Sequence, residues 1–345
     1  MVNATIRDVA RLAGVSLGTI SNYLNENKAV STVTSQKIEA AIEKLDFVPN
    51  SAVRVLHGHL SHVIAFIVPD GGNPFFQEIA KGIEDVAISE RHVVVACNTE
   101  GTPEREGHYA RALGEMRVRA AIAVASPTTH SMLVRLSRTG TRGVVLGPRD
   151  PKFSSVDVDD RTGGRLAMRH VIERGYERLL FFGGPAAGPA IEGRTAGYAD
   201  ELRAAGRDPG ELLRLDSASG SPSARSAAAR AILDLPDLPD AVLCANDLLA
   251  LALEAEAIRA GIRIPEDLAI VGYDDIESAR TAPIPLTTVH APAYEIGCRA
   301  AQLAFASSSA PAEHVSLEPS LLSRWSTDGA PEAGSAYNRR RLNRS

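Results

Sequence analysis

Cysteine and long apolar runs are scarce in this 345-residue chain, and each scarcity excludes a class of protein. The three cysteines, Cys97, Cys244 and Cys298, are far apart and form no Cys-x-x-Cys pair, which argues against a zinc ribbon or a disulfide scaffold. No stretch approaches the roughly 18 apolar residues of a membrane span, and the amino terminus carries no signal-like apolar run. We expect a cytoplasmic protein with no membrane partner.

An excess of positive charge is also lacking. The net charge is −5, so the chain as a whole is not a polycation that binds nucleic acid by charge alone. Its 44% hydrophobic and 23% charged residues are ordinary for a globular protein, and the length suffices for two or three domains. Any contact with nucleic acid must therefore come from a local surface.

Motifs of catalysis and of metal binding are missing too. The sequence contains no GxGxxG, GxxxxGK[ST], GxSxG or HExxH pattern. Residues 157–160 (DVDD) resemble half of a calcium loop, but Thr162 stands where that loop needs glycine. This segment is better interpreted as a strand end followed by a helix cap. We expect no enzyme activity, no cofactor and no metal site.

The first 48 residues contain helical patterns only. Thr5 and Asp8 have the spacing of a capping box, and Gly14 can end the helix that follows. Ser16 can cap a second short helix and Ser31 a third. Two short helices joined by a tight turn are typical of a helix-turn-helix domain, whose second helix enters the major groove of DNA.

The second helix carries side chains suited to reading DNA. Leu17 and Gly18 lie at its N-terminal end, where base edges are met, and Asn22, one turn on, can pair bidentately with adenine. The short polar residues around them are suited to phosphate oxygens. The predicted DNA contacts of the head are Thr5, Ser16, Leu17, Gly18, Thr19, Ser21, Asn22 and Asn25.

The charge of the head does not decide between DNA binding and the alternative, a three-helix bundle with solvated polar faces. Residues 1–54 carry a net charge of only +1. The charges that nearly cancel are Arg7, Arg11, Lys28, Lys37, Lys44 and Arg54 against Asp8, Glu26, Glu39, Glu43 and Asp46.

From residue 62 onward, short apolar runs alternate with helical segments. Near-continuous apolar strands separated by helices indicate a parallel sheet covered on both faces. So many units exceed one compact sheet, and we predict two doubly wound lobes. The predicted strands are residues 62–68, 93–97, 120–125, 144–146, 179–182, 241–244 and 268–271.

A resemblance to one family covers about residues 4–327. The chain resembles the lactose-repressor (LacI/GalR) family, in order and with family-like spacing. The matching segments include residues 5–16 (TIRDVARLAGVS), 41–45 (AIEKL), 48–50 (VPN), 68–70 (VPD), 73–76 (NPFF), 245–247 (AND), 271–275 (VGYDD) and 286–289 (LTTV).

The resemblance implies an all-α helix-turn-helix head and an α/β body of two lobes of the periplasmic-binding-protein type. The chain is expected to cross between the lobes near Asp160, residues 290–293 and residues 321–324. The implied divisions are a DNA-binding domain at 1–48, a hinge at 49–60, a ligand-sensing domain at 61–327 and a disordered tail at 328–345. Within the sensing domain, the N-lobe is expected at 61–160 and 293–321, and the C-lobe at 161–290 and 322–327.

The hinge is expected to couple the two halves. Asn50 can open a helix and Gly58 can end it, but eight residues are too few for a stable isolated helix. Two copies in a dimer could fold together on DNA, with Arg54 nearby. Leu56 then matches the apolar wedge that the family inserts between base pairs. The alternative is an ordinary linker leucine.

Matching the family also places a small-molecule effector between the lobes, at the carboxyl ends of the strands. Alternatives remain open: the phenylalanines as core residues, Arg194 as a surface arginine, and Asn246 or Asp247 as a mere helix cap. Asp275 fits a loop-capping role better than Asp274 does. The implied ligand contacts are Asn73, Phe75, Phe76, Arg149, Arg194, Asn246 and Asp274.

Two positions depart from the family pattern. Most relatives carry arginine where this chain has Asn22, which predicts an unusual operator half-site. Many sugar-responding relatives have aspartate where Pro148 stands, and Arg149 follows it. Pro148 cannot accept a hydrogen bond as the aspartate would, and Arg149 adds a positive charge beside it. Both changes weaken the assignment of any specific neutral sugar.

The resemblance implies a homodimer that binds a pseudo-palindromic operator in double-stranded DNA. We expect a repressor of carbohydrate uptake or catabolism genes, controlled by a sugar-like effector. A transport solute-binding protein shares the body but has no DNA-binding head, and a sugar-metabolising enzyme needs a catalytic pair or phosphate loop that is missing. A head that has lost its DNA affinity is the remaining alternative, which a gel-shift assay would reveal.

Overall fold

A computed structural model describes residues 4–25, 30–47, 60–184, 188–307 and 310–329. The chain separates into two compact units, Met1–Ser61 and His62–Ser345. The predicted hinge contacts Asn50, Arg54 and Leu56 lie outside the described residues, as does the tail beyond Gly329.

The first unit contains helices α1 (Ile6–Ala13), α2 (Leu17–Asn25) and α3 (Thr32–Leu45). The predicted caps are confirmed. Asp8 Oδ2 accepts the Thr5 backbone N–H at 3.0 Å, Gly14 ends α1 with a left-handed φ of 68°, and the Ser31 side chain accepts the Thr34 N–H. The buried core consists of Val9, Ala10, Ala13, Ile20, Ile38 and Ala41.

The second unit contains two six-stranded sheets within its described residues. The N-lobe sheet has the order β11-β5-β4-β3-β1-β2, and all of its pairs are parallel. Its strands are β1 (Val63–Val68), β2 (Val93–Asn98), β3 (Ala120–Val124), β4 (Arg142–Leu146), β5 (Ser154–Val158) and β11 (His314–Leu317). Its helices are α4 (Pro74–Ser89), α5 (Pro103–Glu115), α6 (Thr129–Ser137) and α12 (Ala293–Phe305).

The C-lobe sheet has the order β12-β10-β9-β8-β6-β7, parallel except for the antiparallel β10–β12 pair. Its strands are β6 (Leu179–Gly183), β7 (Leu213–Asp216), β8 (Ala241–Cys244), β9 (Ala269–Asp274), β10 (Thr287–His290) and β12 (Ser320–Leu322). Its helices are α7 (Asp160–Glu173), α8 (Pro189–Ala204), α9 (Pro222–Leu233), α10 (Asp247–Arg259), α11 (Glu277–Thr281) and α13 (Trp325–Asp328).

The chain passes between the two sheets three times. It does so after β5, between β10 and α12, and between β11 and β12. The third passage falls at residues 318–319, a little earlier than the 321–324 expected from sequence. Ser320 already pairs with His290 across the C-lobe sheet, so residues 320–321 belong to that lobe. Asp328, which was expected in the disordered tail, instead ends α13 and accepts Arg174 Nε at 2.6 Å.

Helices α4 and α12 cross in the N-lobe with backbone in direct contact. A Cβ atom added to Gly297 would overlap the Ile79 carbonyl oxygen, and one added to Gly82 would overlap the Tyr294 carbonyl oxygen. Only glycine, which has no side chain, lets the two helix backbones come this close at these positions. The pair buries Ile79, Ile83, Ala300 and Ala301 against the sheet.

We expect Gly297→Ala to destabilise the protein by about 1–3 kcal/mol, because a methyl group overpacks this crossing. Gly107→Ala is the matched control, since Gly107 also lies in a helix but no atom stands within 4 Å of its added Cβ. That control should be neutral or stabilise by about 0.5–1 kcal/mol. Denaturant unfolding of both variants measures the difference, and equal stabilities would contradict the close-packing argument.

Candidate DNA-binding helix and interlobe cleft

Helix α2 presents one face to the head core and another to solvent. Ile20 is fully buried, whereas Leu17 is 45% exposed and Gly18 is exposed beside it. The predicted Ser16 cap is confirmed, because Ser16 Oγ accepts the Thr19 N–H at 3.1 Å. Tyr23 donates to Glu39 Oε1 at 2.7 Å, which ties α2 to α3.

The other residues predicted to contact DNA surround this face. Thr5 is exposed, but its hydroxyl donates to Asp8 Oδ2 at 2.6 Å. Thr19, Ser21 and Asn22 are half-buried. The side chain of Asn25 lies outside the described residues. The exposed N-terminal end of α2 is the arrangement that major-groove insertion requires.

A cavity of about 850 Å³ lies between the two lobes of the second unit. Residues from both sheets line it, at the carboxyl ends of strands β1, β2, β3, β4, β8 and β9. Its volume suits a small-molecule ligand. Six of the seven predicted ligand contacts line this cavity: Asn73, Phe75, Phe76, Arg194, Asn246 and Asp274.

The apolar wall begins at the N-terminus of α4. Asn73 Oδ1 accepts the Phe75 N–H at 3.0 Å and Pro74 occupies the first turn, which confirms the predicted cap. The half-buried rings of Phe75 and Phe76 meet edge to face, with centroids 5.5 Å apart. Phe75 packs against the apolar clusters of both lobes. The rings therefore line the cavity and also join the core, which reconciles the two interpretations.

Arg194 is a buried cation rather than a surface arginine, with only 9% of its surface exposed. Its Nε donates to Asp160 Oδ1 at 2.8 Å, its Nη1 donates to the Ala245 carbonyl, and its Cζ lies 3.4 Å from the centroid of the Tyr273 ring. Burial disfavours the charged form, but Asp160, Tyr273 and Asp274 together raise the pKa of Arg194 above its ordinary value. The guanidinium stays charged in the cleft wall.

Asp274 ends β9 and faces the same cavity. Burial raises the pKa of its carboxyl well above the usual range, and nearby Arg194 offsets only part of that effect. Asp274 and Asp275 both adopt positive φ values, 111° and 60°, which are uncommon for residues other than glycine. Asp275 Oδ1 accepts Arg324 Nη2 at 2.5 Å, in agreement with the loop-capping role expected of it.

Asn246 and Asp247 divide two structural roles between them. Asn246 Oδ1 accepts the Leu249 N–H at 3.0 Å, so this residue caps α10 while it also lines the cavity. Asp247 is fully buried, and its carboxyl accepts the Thr288 hydroxyl at 2.7 Å and the Ile276 N–H at 2.9 Å. Burial raises the pKa of Asp247 to about 7. It holds the loop that follows β9 against α10.

Arg149 does not join the other predicted contacts. Its side chain is exposed and it is not among the residues that line the cavity. The chain turns sharply after β4, where Gly147 has a φ of 148°, and the next turn is fixed by Asp150 Oδ1, which accepts the Lys152 and Phe153 N–H groups. The exposed turn that begins at Gly147 therefore leaves Arg149 outside the cavity lining.

The structure adds charged residues that sequence patterns did not single out as ligand contacts. Asp70, Glu100, Asp157 and Asp160 line the cavity beside Asp274. Each follows or ends a strand, but so do many structural residues, so only the fold distinguishes them. A serine-rich loop before α9 (Ser219, Gly220 and Ser221) completes the lining.

The part of the chain that the structure describes lacks two kinds of feature. No group of three or more histidine, cysteine or acidic side chains is arranged to hold a metal ion there. No described helix is long and apolar enough to cross a membrane.

Comparison with known proteins identifies the family. Residues 5–50 match the bacterial regulatory proteins of the lacI family, and residues 168–327 match the periplasmic binding protein-like domain. The HTH-type transcriptional repressor PurR of Photobacterium profundum is 32% identical over 303 residues, which cover 87% of this chain and 90% of that protein. The PurR of Vibrio atlanticus is 33% identical, with the same coverage. This chain belongs to the LacI family.

Solved structures of LacI-family regulators share the fold. A CelR–cellobiose complex aligns with a TM-score of 0.68 at 29% identity, over 94% of this chain and 99% of that one. The lac repressor dimer bound to operator and ONPF aligns with a TM-score of 0.78 at 25% identity, with the same coverage. A LacI-family regulator from Enterococcus faecium with bound ribose aligns with a TM-score of 0.70 at 27% identity, over 78% of this chain and 100% of that one.

The family assignment confirms the two main predictions from sequence. The chain carries the LacI-type helix-turn-helix domain of DNA-binding transcription regulators, and its body is the α/β, periplasmic-binding-protein-like fold. Members of this family are regulators rather than enzymes.

The raised pKa of Asp247 predicts how stability varies with pH in this LacI-family protein. The folded state holds a proton on Asp247 up to about pH 7, whereas the unfolded carboxyl loses it near 3.8. The contribution of Asp247 to stability should therefore fall as the pH rises from 4 through 7. His170 acts in the opposite direction up to about pH 6.5, because burial lowers its pKa from 6.5 to about 4. The pH dependence of the wild-type Tm is the sum of both effects.

Between pH 5 and pH 8 the Tm of Asp247→Asn should rise by several degrees relative to that of wild type, because asparagine has no proton to lose in this range. The exposed Asp237→Asn on the same lobe is the control, and it should keep the wild-type slope. Calorimetric scans at matched ionic strength measure both, and an unchanged slope in Asp247→Asn would show that Asp247 is ionised in the folded protein.

Proposed function

We propose that this chain is a homodimeric repressor of carbohydrate uptake or catabolism genes. Its affinity for a pseudo-palindromic operator would be set by a small, sugar-like molecule bound between the two lobes. A regulator of chromosomal genes would act in the cytoplasm. The observation that carries the proposal is the interlobe cavity, lined by an aromatic wall and convergent polar groups, in a chain that also has a LacI-type head.

The DNA-reading role is proposed for the exposed end of α2. Leu17 and Gly18 present a small apolar surface where base edges would be met, and Asn22 lies one turn further along the same helix. Ser16 and Thr19, together with Thr5, Ser21 and Asn25, are proposed to position the helix on phosphates. The operator-bound lac repressor dimer, which shares this fold over 94% of the chain, supports the role.

A sugar-like effector is favoured by the chemistry of the cavity. Phe75 offers a ring face on which a sugar ring can stack, and the Asp274 carboxyl can form hydrogen bonds with vicinal hydroxyls. Arg194 and Asn246 add donors on the C-lobe side, and Asn73 lies at the N-lobe side. Related structures with cellobiose and with ribose support this class of effector.

Exposed apolar groups support the homodimer. Strand β2 is an edge strand of the N-lobe sheet, and its Val93 is 60% exposed. Ile88, at the end of the preceding helix, is 70% exposed. Edge strand β7 of the C-lobe likewise exposes Leu213. Unpaired edges with apolar side chains are surfaces that a second copy can cover.

The operator itself provides the first test. Selection of DNA sequences by the purified protein should give a pseudo-palindromic site. Asn22→Ala should lose about 1–3 kcal/mol of affinity for that site and relax the preference at one base position in each half. Gln36→Ala, an exposed change on α3, is the control and should bind normally. Uniform weakening on every sequence would show that Asn22 contacts only phosphate.

The effector response provides the second test. A thermal-shift screen of sugars, sugar phosphates and nucleobases should find a compound that stabilises the protein, by about 2.7 kcal/mol at a hundredfold excess over its Kd. Asp274→Asn should abolish the effect of that compound on operator binding, while operator affinity without it stays within about twofold. The exposed Glu277→Gln should respond like wild type. A normal response in Asp274→Asn would remove Asp274 from the binding site.

A further inference from the structure

Asp157 is a carboxyl in the cavity wall, and one of its two oxygens has no hydrogen-bond donor. It is the penultimate residue of β5, pairs in register with Ser316 of β11 and lines the interlobe cavity. Its side chain is 21% exposed, and its Oδ1 atom is buried without a hydrogen-bond partner. A buried acceptor without a donor is costly, so a ligand that supplies a donor here would gain affinity.

The basic side chain of His314 lies beside Asp157 but beyond hydrogen-bond distance. His314 Nε2 lies 3.8 Å from Asp157 Oδ2, and His314 Nδ1 is engaged with Ser155 Oγ at 2.8 Å. Burial raises the pKa of Asp157. A hydrogen bond with the Ser316 side chain and the nearby His314 offset part of that rise, whereas Asp160 and Asp159 add to it. Asp159 is occupied as the cap of α7, where its Oδ1 accepts the Thr162 N–H.

The rest of the cleft wall also contains more carboxyls than basic side chains. Arg194 is the one lysine or arginine among the described lining residues, and it already donates to Asp160. Five carboxyls line the same space: Asp70, Glu100, Asp157, Asp160 and Asp274. Glu100 is paired with Arg105, but that pair is largely exposed.

Helix N-termini offset the carboxyls only in part. Asn73, Ser221 and Asn246 each cap one of the helices that begin at the cavity, and helix α8 begins at Gly188 without a side-chain cap. Each of these four N-termini is worth about half a positive charge. Even without Asp274, whose pKa burial raises well above the usual range, four carboxyls remain, so an anionic ligand would meet a net negative site.

We propose that Asp157 restricts the cleft to uncharged effectors. Its carboxyl accepts a hydroxyl or amino hydrogen from a neutral ligand, and it repels phosphate and carboxylate groups. This inference rests on the proposed function, in that the effector occupies the interlobe cavity. A unit charge about 7 Å from an uncompensated carboxylate, at an effective dielectric constant of about 20, loses about 50-fold in affinity.

Matched pairs of compounds test the proposal. Ribose, glucose and adenosine are each compared with ribose 5-phosphate, glucose 6-phosphate and AMP, and gluconate is included as a carboxylate. Titration calorimetry of the full-length protein gives the ratio of the two Kd values within each pair. We expect at least one uncharged compound to bind, and its anionic partner to bind 50-fold or more weakly.

Two variants separate Asp157 from the overall charge. Asp157→Asn keeps the side-chain shape but removes the repulsion, so the ratio should shrink at least fivefold while the uncharged compound loses affinity. Asp237→Asn makes the same charge change at an exposed position outside the cavity lining, and it should keep the wild-type ratio. Thermal unfolding of the free variants confirms that each is folded.

Three results would overturn the assignment: an anionic member that binds as tightly as its uncharged partner, a ratio that Asp157→Asn leaves unchanged, or no binding by any uncharged compound. Operator binding is measured in the same samples. Loss of operator binding in wild-type protein would contradict the proposed function, whereas normal operator binding with a wrong charge preference would contradict only the role of Asp157.

Discussion

The burial of one guanidinium organises the ligand side of the C-lobe. Arg194 is carried by α8, yet its contacts belong to three other elements: Asp160 at the start of α7, the Ala245 carbonyl after β8 and the Tyr273 ring in β9. A buried cation without such partners would cost several kcal/mol. The helices must therefore approach closely, and glycine allows it, because a Cβ on Gly164 would overlap the Arg194 carbonyl oxygen. The proposed ligand recognition by Arg194 and the packing of the C-lobe thus depend on the same contacts.

The loop after β9 connects this wall with the segments that join the lobes. Asp274 faces the cavity, while its neighbour Asp275 accepts Arg324, just after β12, and contacts His290 at the end of β10. Both aspartates hold unfavourable backbone conformations that the surrounding hydrogen bonds maintain. A ligand that contacts Asp274 would therefore act on a strained loop that directly contacts one of the three passages between the lobes, the one that follows β10.

Sequence reasoning recovered the parts of the fold that carry continuous apolar patterns. The runs that became β1, β3, β6 and β8 are buried along nearly their whole length, so hydrophobicity alone marks them. Strand β7 escaped notice because it is an exposed edge with charged residues, Arg214 and Asp216. Strand β10 was not predicted because two of its four residues are threonines, which look polar in the sequence. Thr287 and Thr288 are nevertheless buried, since their hydroxyls form hydrogen bonds with other side chains.

The residues of the candidate site were likewise predicted only in part from the sequence. Asn73, Arg194, Asn246 and Asp274 were found through family motifs, and the cavity unites them. Arg149 was placed with them because it is close in sequence to a family ligand position, but a glycine turn directs it elsewhere. Asp157 was interpreted only as part of a strand end. Its neighbours come from β11, some 160 residues later, and only the register of the sheet brings them together.

The third passage between the lobes limits how they can move. Only residues 318–319 separate β11 in one sheet from β12 in the other. Three Cα-to-Cα steps span at most about 11 Å even when fully extended. At this point the lobes cannot slide apart or translate along each other without breaking a sheet. Opening of the cavity must therefore be a rotation about the passages between the lobes, so a small rotation there becomes a large displacement at the far rim of the lobes.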